Sequence, residues 1–353
     1  MPYDFRHAVE HMKSTIIFRP ASQTQSAQAA RSGFFGTTSH ELWHVWNVKR
    51  IRPEAMLPYD YGKLPHTGLH WFTEGVTDYY GNLILTRAGL MERETWYNIL
   101  ARNIQSLEND YAASQVSPYE SSFESWLSTS PYRHPHRQLS YYSSGARAAL
   151  LLDFAIRDKT NGEVSLDDVF RYLYHNYHEQ NRGVPENGIQ LAVEQVTGSA
   201  WGDFFSRYVH GVSPIDYKAF LKPFGLEIFI DENDNQDASR LGITSLDVIG
   251  QGWLARSVHP AGDAYRDGLG PGDLIMEIDG TPVSKLNPAT AFAGVKKGQA
   301  LRLKVYADQA VKEISIRYQA AFLPRKVTIS PSLRPKERQE KLLNQWLRSV
   351  ASE

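Results

Sequence analysis

The chain has 353 residues, a formal net charge of −1, 42% apolar and 22% charged residues, and no cysteine. That length allows two or three domains with a substantial core, the balance is that of an ordinary soluble globular protein, and no global field draws it to nucleic acid or to an anionic membrane. Without cysteine there are no disulfides, no thiolate nucleophile and no zinc site built on sulfur, so any metal must rest on His, Asp or Glu.

In chain order, MPYDFRHAVEHMKST carries no basic segment followed by a long apolar run, and no window approaches the ~18 apolar residues of a membrane span; a cytoplasmic location is the expectation. STIIFRP, 14 to 20, reads as a short strand closed by Pro20. From about Thr37 to Tyr208 the pattern is mostly helical. LTRAGLMERETWYNILARNIQSL, 85 to 107, has apolar residues three and four apart, as an amphipathic helix does. SGARAALLLDFAIRDKTNG follows, stopped by Asn161-Gly162, and SLDDVFRYLYHNY opens on Ser165 and Asp168, spaced as a capping box. Past Gly225 comes the polar DENDNQDASR, then short runs broken by glycine: GWLARSV, DLIMEIDG, LRLKVYA and KEISIRY, with a hairpin turn at Asp279-Gly280. These predict a small β-rich domain over 226–322. In the extension 323–353, Leu342, Leu343, Trp346, Leu347 and Val350 share one helical face, which predicts a docked helix, with a solvent-exposed tail as the alternative.

The chemistry concentrates in TSHELWHVWNVKR, 38 to 50. On a helix His40 and His44 lie on one face, about one turn apart, and can hold one metal ion in common. Glu41 sits about 100° round, within reach of a metal-bound water without ligating the ion. The competing reading is a chance pentapeptide on a surface helix. Glu74, in WFTEGVTDYY (71 to 80), offers a third ligand, and Asp78 one turn later can orient a histidine. A helix N-terminal carboxylate is the plain alternative for Glu74, and local capping for Asp78. His66 and His70, in LPHTGLHW, read as ordinary loop histidines.

These segments, HELWHVWNVKRIRP, WFTEGVTDYY, SYYSSGARAALLLDFAIR and SLDDVFRYL, in this order, resemble the glycyl aminopeptidase family of zinc metallopeptidases, gluzincins related to aminopeptidase N. GWLARSVHPAGDAYRDGLGPGDLIMEIDGTPV resembles a PDZ domain, which members of that family carry after the catalytic domain. The resemblance implies a multidomain α+β protein: a mostly helical, thermolysin-like catalytic domain over 1–225, a PDZ-like domain over 226–322 and a helical extension over 323–353. It implies Zn2+ on His40, His44 and Glu74, with Glu41 as general base. A tyrosine that stabilises the oxyanion in related enzymes falls on Tyr142, with Tyr141 competing; the lysine of that motif is Ser144 here. AVEHMKST resembles the family segment whose glutamate receives the substrate's α-amine, which places Glu10 in that role. Its glycine is Ala8 and its asparagine Lys13 in this chain. Family members have a β-rich domain upstream, and the expectation is a shortened member or a truncated record.

The activity so implied is removal of N-terminal residues, with preference for small ones such as Gly or Ala. Two other functions stay open. One is an endopeptidase on the same zinc site, which would make Glu10 irrelevant. The other is a catalytically impaired protein whose PDZ-like part binds peptide C-termini or extended segments by strand addition. The expected partners are peptides, with neither nucleic acid nor membrane.

Overall fold

The computed structural model describes residues 7–18, 27–127, 135–232 and 237–348. Pro20, Val350 and positions 233–236 of the polar linker lie outside the described residues. The chain opens with the antiparallel hairpin β1 (His7–Glu10) and β2 (Thr15–Phe18), in which Glu10 pairs with Thr15. A helical body follows: α1 (Ala27–Trp43), α2 (Thr77–Arg87), α3 (Arg93–Glu108), α4 (Pro118–Phe123), α5 (Tyr141–Lys159), α6 (Leu166–Leu173), α7 (Gly188–Thr197), α8 (Gly202–Tyr208) and α9 (Tyr217–Leu221). Then come β3 (Leu226–Glu232), β4 (Ile243–Ile249), β5 (Gly252–Val258), the short α10 (Asp263–Arg266), β6 (Leu274–Ile278), β7 (Thr281–Pro282), β8 (Ala300–Ala307), β9 (Ala310–Arg317), β10 (Arg325–Pro331) and α11 (Glu337–Leu347).

Local chemistry accounts for most boundaries. Ser165 and Asp168 form the capping box at the start of α6, and Asp279-Gly280, both at positive φ, turn β6 into β7. The amphipathic run 85–107 is not one helix. Gly89, at φ 68°, ends α2 in the left-handed region that glycine tolerates, and the chain re-enters a helix at Arg93. Its side-chain spacing survives the break, which is why periodicity alone reads straight through.

Two cores form. The first joins the helices and includes Trp71, Tyr79, Trp96 and Phe154. The second fills a sheet ordered β4-β5-β6-β8-β9, with β7 on β6, and includes Trp253, Ile275, Phe292 and Val305. The cores divide at places other than 225 and 322. β3 pairs with β10, Leu226 with Pro331 and Glu232 with Arg325, and this ribbon buries Leu226, Ile228, Val327 and Ile329 in the helical core. The sheet module is therefore entered and left from one end of a two-stranded ribbon that belongs to the body.

The C-terminal helix docks as its pattern predicts. Leu342, Trp346 and Leu347 are buried, Trp346 Nε1 donates to the Tyr79 hydroxyl (2.7 Å), and Arg87 Nε donates to the Trp346 carbonyl (3.0 Å). Behind α2 these contacts continue into a buried polar network. Tyr79 donates to Asp153 (2.7 Å), Arg157 pairs with Asp153 (2.9 Å), and Tyr80 donates to Asp167 (2.6 Å). In this network Asp153 and Asp167 each meet a guanidinium, of Arg157 and of Arg87, which is the condition for tolerating buried charge. No helix among the described residues is long and apolar enough to cross a membrane.

Candidate metal centre

Residues 38 to 44 continue α1 to its end, so His40 and His44 share a face, with His44 just beyond Trp43 and its amide still bonded to the His40 carbonyl (3.3 Å). Glu74 comes from Trp71–Val76, a π-helical stretch leading into α2. A π-turn widens the helix and spoils its regular hydrogen bonds, and the buried Asn47 takes up the difference. Its Nδ2 donates to the Phe72 carbonyl (2.7 Å) and to Thr77 Oγ1 (3.1 Å). α5 presses on the other side. A Cβ on Gly75 would lie 2.4 Å from Gly145 Cα, and one on Gly145 would lie 2.3 Å from the Trp71 carbonyl oxygen. Both glycines are there because backbone meets backbone.

Three ligand-type atoms converge. His40 Nε2 and His44 Nε2 are 3.0 Å apart, and Glu74 Oε2 is 3.4 Å from the first and 3.3 Å from the second. Ligand bonds of about 2.0–2.1 Å around a tetrahedral ion place ligand atoms about 3.3 Å apart, so the triangle has the size a zinc ion needs. The outward nitrogens are held as well: His40 Nδ1 by Asp78 Oδ1 (2.8 Å) and His44 Nδ1 by the Asn47 carbonyl (2.8 Å). Such partners orient the imidazoles and set their tautomers. Asp78 sits where its sequence position allowed. Asn47 had no signal beyond its place three residues after His44.

The electrostatics follow from this crowding. Burial alone would lower His40, but hydrogen bonds and charges from Asp78 and Glu74 outweigh it and raise its pKa to about 10. Burial would raise Glu74, yet the two imidazoles bring it down to about 2. Burial pushes the Glu41 carboxyl up, opposed by His40 and His44 and reinforced by Glu10 and Glu74. Glu41 Oε2 is buried without a hydrogen-bond partner.

The remaining candidates border this space. Oxygens of Glu10 and Glu41 and a ring nitrogen of His44 all lie within 4.8 Å of one another, and Glu10 Oε1 is paired with Lys49 Nζ at 2.9 Å. The Tyr142 ring stacks on His40 (centroids 6.2 Å, planes 25° apart) and on Tyr141 (4.8 Å). Burial, with Glu74 beside it, pushes the Tyr142 phenol far above its ordinary value, so it keeps its proton. Tyr141 turns instead to His70, centroids 5.5 Å apart. His70 is half-buried and lowered by burial, close to the centre but outside the ligand triangle. In the sequence nothing distinguishes Lys49 from its neighbour Arg50.

Residues 33–147 match the profile of the M61 glycyl aminopeptidase family, and residues 222–306 match that of the PDZ domain. Among solved structures, the chain resembles an aminopeptidase N family protein from Idiomarina loihiensis. The TM-score is 0.79 at 22% identity, covering 98% of this chain and 60% of that one, so this chain spans less than two thirds of that protein's length. At that identity the likeness speaks for the fold. An HtrA-type protease with a decapeptide matches over 32% of this chain and 30% of its own, at 21% identity and a TM-score of 0.18. No curated protein matches the chain.

Proposed function

We propose that this chain, in which an M61 glycyl aminopeptidase segment is joined to a PDZ domain, is a zinc-dependent peptidase acting at the free amino end of peptides. The observation that carries the reading is the triangle of His40, His44 and Glu74 with the bare, buried oxygen of Glu41 beside it. His40, His44 and Glu74 would hold the ion. When bound, zinc supplies Lewis-acid polarisation of the scissile carbonyl and of the attacking water.

The chain's own groups do the rest. Glu41 accepts the water's proton during attack and hands it to the leaving amine; its raised affinity for protons suits a group that must take one up and release it. Tyr142, kept protonated, donates to the oxyanion as it develops, an interaction typically worth ~2.7–4 kcal/mol. Glu10 receives the substrate's ammonium and so sets the register of cleavage. Preference for a small N-terminal residue such as glycine rests on the family likeness alone.

The domain layout belongs to the same proposal: a peptidase body that includes the β3–β10 ribbon and α11, and a PDZ-like module between them. In that module β4 ends the sheet among the described residues, and its outer edge can take an extended peptide as a further strand. Elemental analysis should find one zinc per chain, and chelation should abolish hydrolysis of glycyl and alanyl anilides. Protein that binds no zinc would sink the proposal. Equal cleavage of N-acetylated and free-amine peptides would make the enzyme an endopeptidase.

A further inference from the structure

We propose that Lys49 is a positioning residue for amine recognition, acting by holding the Glu10 carboxylate in place; this rests on the reading of Glu10 given above. Lys49 comes from the tight turn that leaves α1. Its predecessor Val48, buried and β-branched, has φ 126°, a strained conformation that persists only where the surroundings enforce it. The enforcement is visible. The Lys49 amide donates to the His44 carbonyl (3.0 Å), Arg52 donates to the carbonyls of Val48 (3.3 Å) and Lys49 (2.8 Å), and Arg50 donates to that of Val45 (2.5 Å). Asn47 and Ile51, on either side, are buried in the body. A turn strained and pinned to this degree aims one side chain, and that side chain reaches Glu10.

Glu10 needs such a partner. It stands at the end of β1 on a two-stranded hairpin, a unit that is marginal by itself, laid against α1. Its oxygen lies within 4.8 Å of Glu41, another carboxylate, and like charges at that range repel. The Lys49 ammonium, 2.9 Å from Oε1 and four-fifths shielded from solvent, offsets that repulsion and fixes one oxygen of the carboxylate. Lys49 therefore tightens amine recognition without touching the substrate.

The test uses full-length, zinc-loaded Lys49→Met, Lys49→Arg, Glu10→Gln and the double variant Lys49→Met/Glu10→Gln, with alanyl anilide and its N-acetyl counterpart. Lys49→Met should lower the free-amine to N-acetyl ratio of kcat/KM by about tenfold to a hundredfold, the range expected for a charge-assisted bond lost to Glu10. Lys49→Arg should restore most of it, and Lys49→Met should add nothing in the Glu10→Gln background. Independently of activity, amide exchange over residues 7–18 should quicken in Lys49→Met and recover in Lys49→Arg. Should Lys49→Met fail to fold, Lys49→Gln takes its place in every comparison. A selective loss in Glu10→Gln with none in Lys49→Met or Lys49→Gln overturns the role of Lys49 and leaves that of Glu10 standing. No selective loss in Glu10→Gln removes the amine reading itself. Equal losses on both substrates in the Lys49 variants, or unchanged exchange in the hairpin, reduce Lys49 to general support of the fold.

Discussion

The environment of Glu41 is not the one that stability alone would choose for a carboxylate. The residue is buried, its Oε2 has no hydrogen-bond partner, and two carboxylates add to its reluctance to ionise. An unsatisfied buried oxygen costs about 1–3 kcal/mol, so a protein keeps one where it has work to do. On the proposed mechanism, Glu41→Gln removes the proton acceptor and leaves His40, His44 and Glu74 in place. We expect zinc content to stay at one per chain, thermal stability to hold or rise, and kcat to fall by about 10²–10⁴, the span usual for a general base. Loss of zinc in that variant would make Glu41 a ligand and undo the assignment. The outer partners of the histidines matter on the same scale. Asp78 and the Asn47 carbonyl hold the two Nδ1 atoms, and each keeps an imidazole turned so that its Nε2 faces Glu74.

Among the elements, the site depends on three helices that meet closely. Ser39 Oγ donates to the Gly81 carbonyl (2.8 Å), and a Cβ on Gly81 would lie 3.3 Å from His40 Cα, so α1 and α2 are nearly in backbone contact. α5 meets the π-helical stretch at Gly145 and Gly75. The π-helix and α5 carry Glu74 and Tyr142, and a displacement between them moves these two side chains relative to each other. Gly145→Ala inserts a methyl 2.3 Å from the Trp71 carbonyl oxygen and 2.9 Å from Gly75 Cα. Backbone cannot swing aside as a side chain does, and overpacking costs about 1–3 kcal/mol. Calorimetry should show a lower Tm, and zinc should bind more weakly in a competitive titration. A variant with lowered Tm but unchanged zinc affinity would show that α5 can shift without disturbing Glu74.

For the molecule as a whole, the governing feature is how the module is attached. Glu232 and Arg325 face each other across the β3–β10 ribbon, so the module is held by two neighbouring strands. Side chains reinforce the seam: His136 Nε2 bonds the Val258 carbonyl (2.7 Å), and Tyr111 packs edge-on against His259 (5.6 Å). His136 lies four residues before the Ser140 cap of α5, whose first turn carries Tyr141 and Tyr142. Replacing 233–324 by an Asn-Gly turn between Glu232 and Arg325 should preserve the ribbon and the body. Hydrolysis of a short anilide should then remain near that of the full chain, while kcat/KM for long peptides falls about tenfold, equivalent to roughly 1.4 kcal/mol of lost binding. Equal losses on short and long substrates would assign the module a supporting role for the catalytic body instead.

Sequence by itself determined the parts whose cause is local. Two histidines four apart on a helix, a carboxylate between them, a capping box at Ser165 and a left-handed turn at Asp279-Gly280 each depend on neighbours within a few residues, and each stands where its spacing put it. The docking face of α11 was legible for the same reason, since Leu342, Trp346 and Leu347 recur at helical period. Only the tertiary structure decided what depends on distant segments. The convergence of Glu74 with His40 and His44 requires a π-turn that Asn47 satisfies from another loop. The pairing of β3 with β10 joins segments almost a hundred residues apart, and it moves the edge of the helical core beyond the place where composition changes. Lys49 meeting Glu10 is the same kind of fact. A salt bridge between a hairpin and a strained turn has no periodicity to announce it, because neither partner's neighbours carry the reason for the contact.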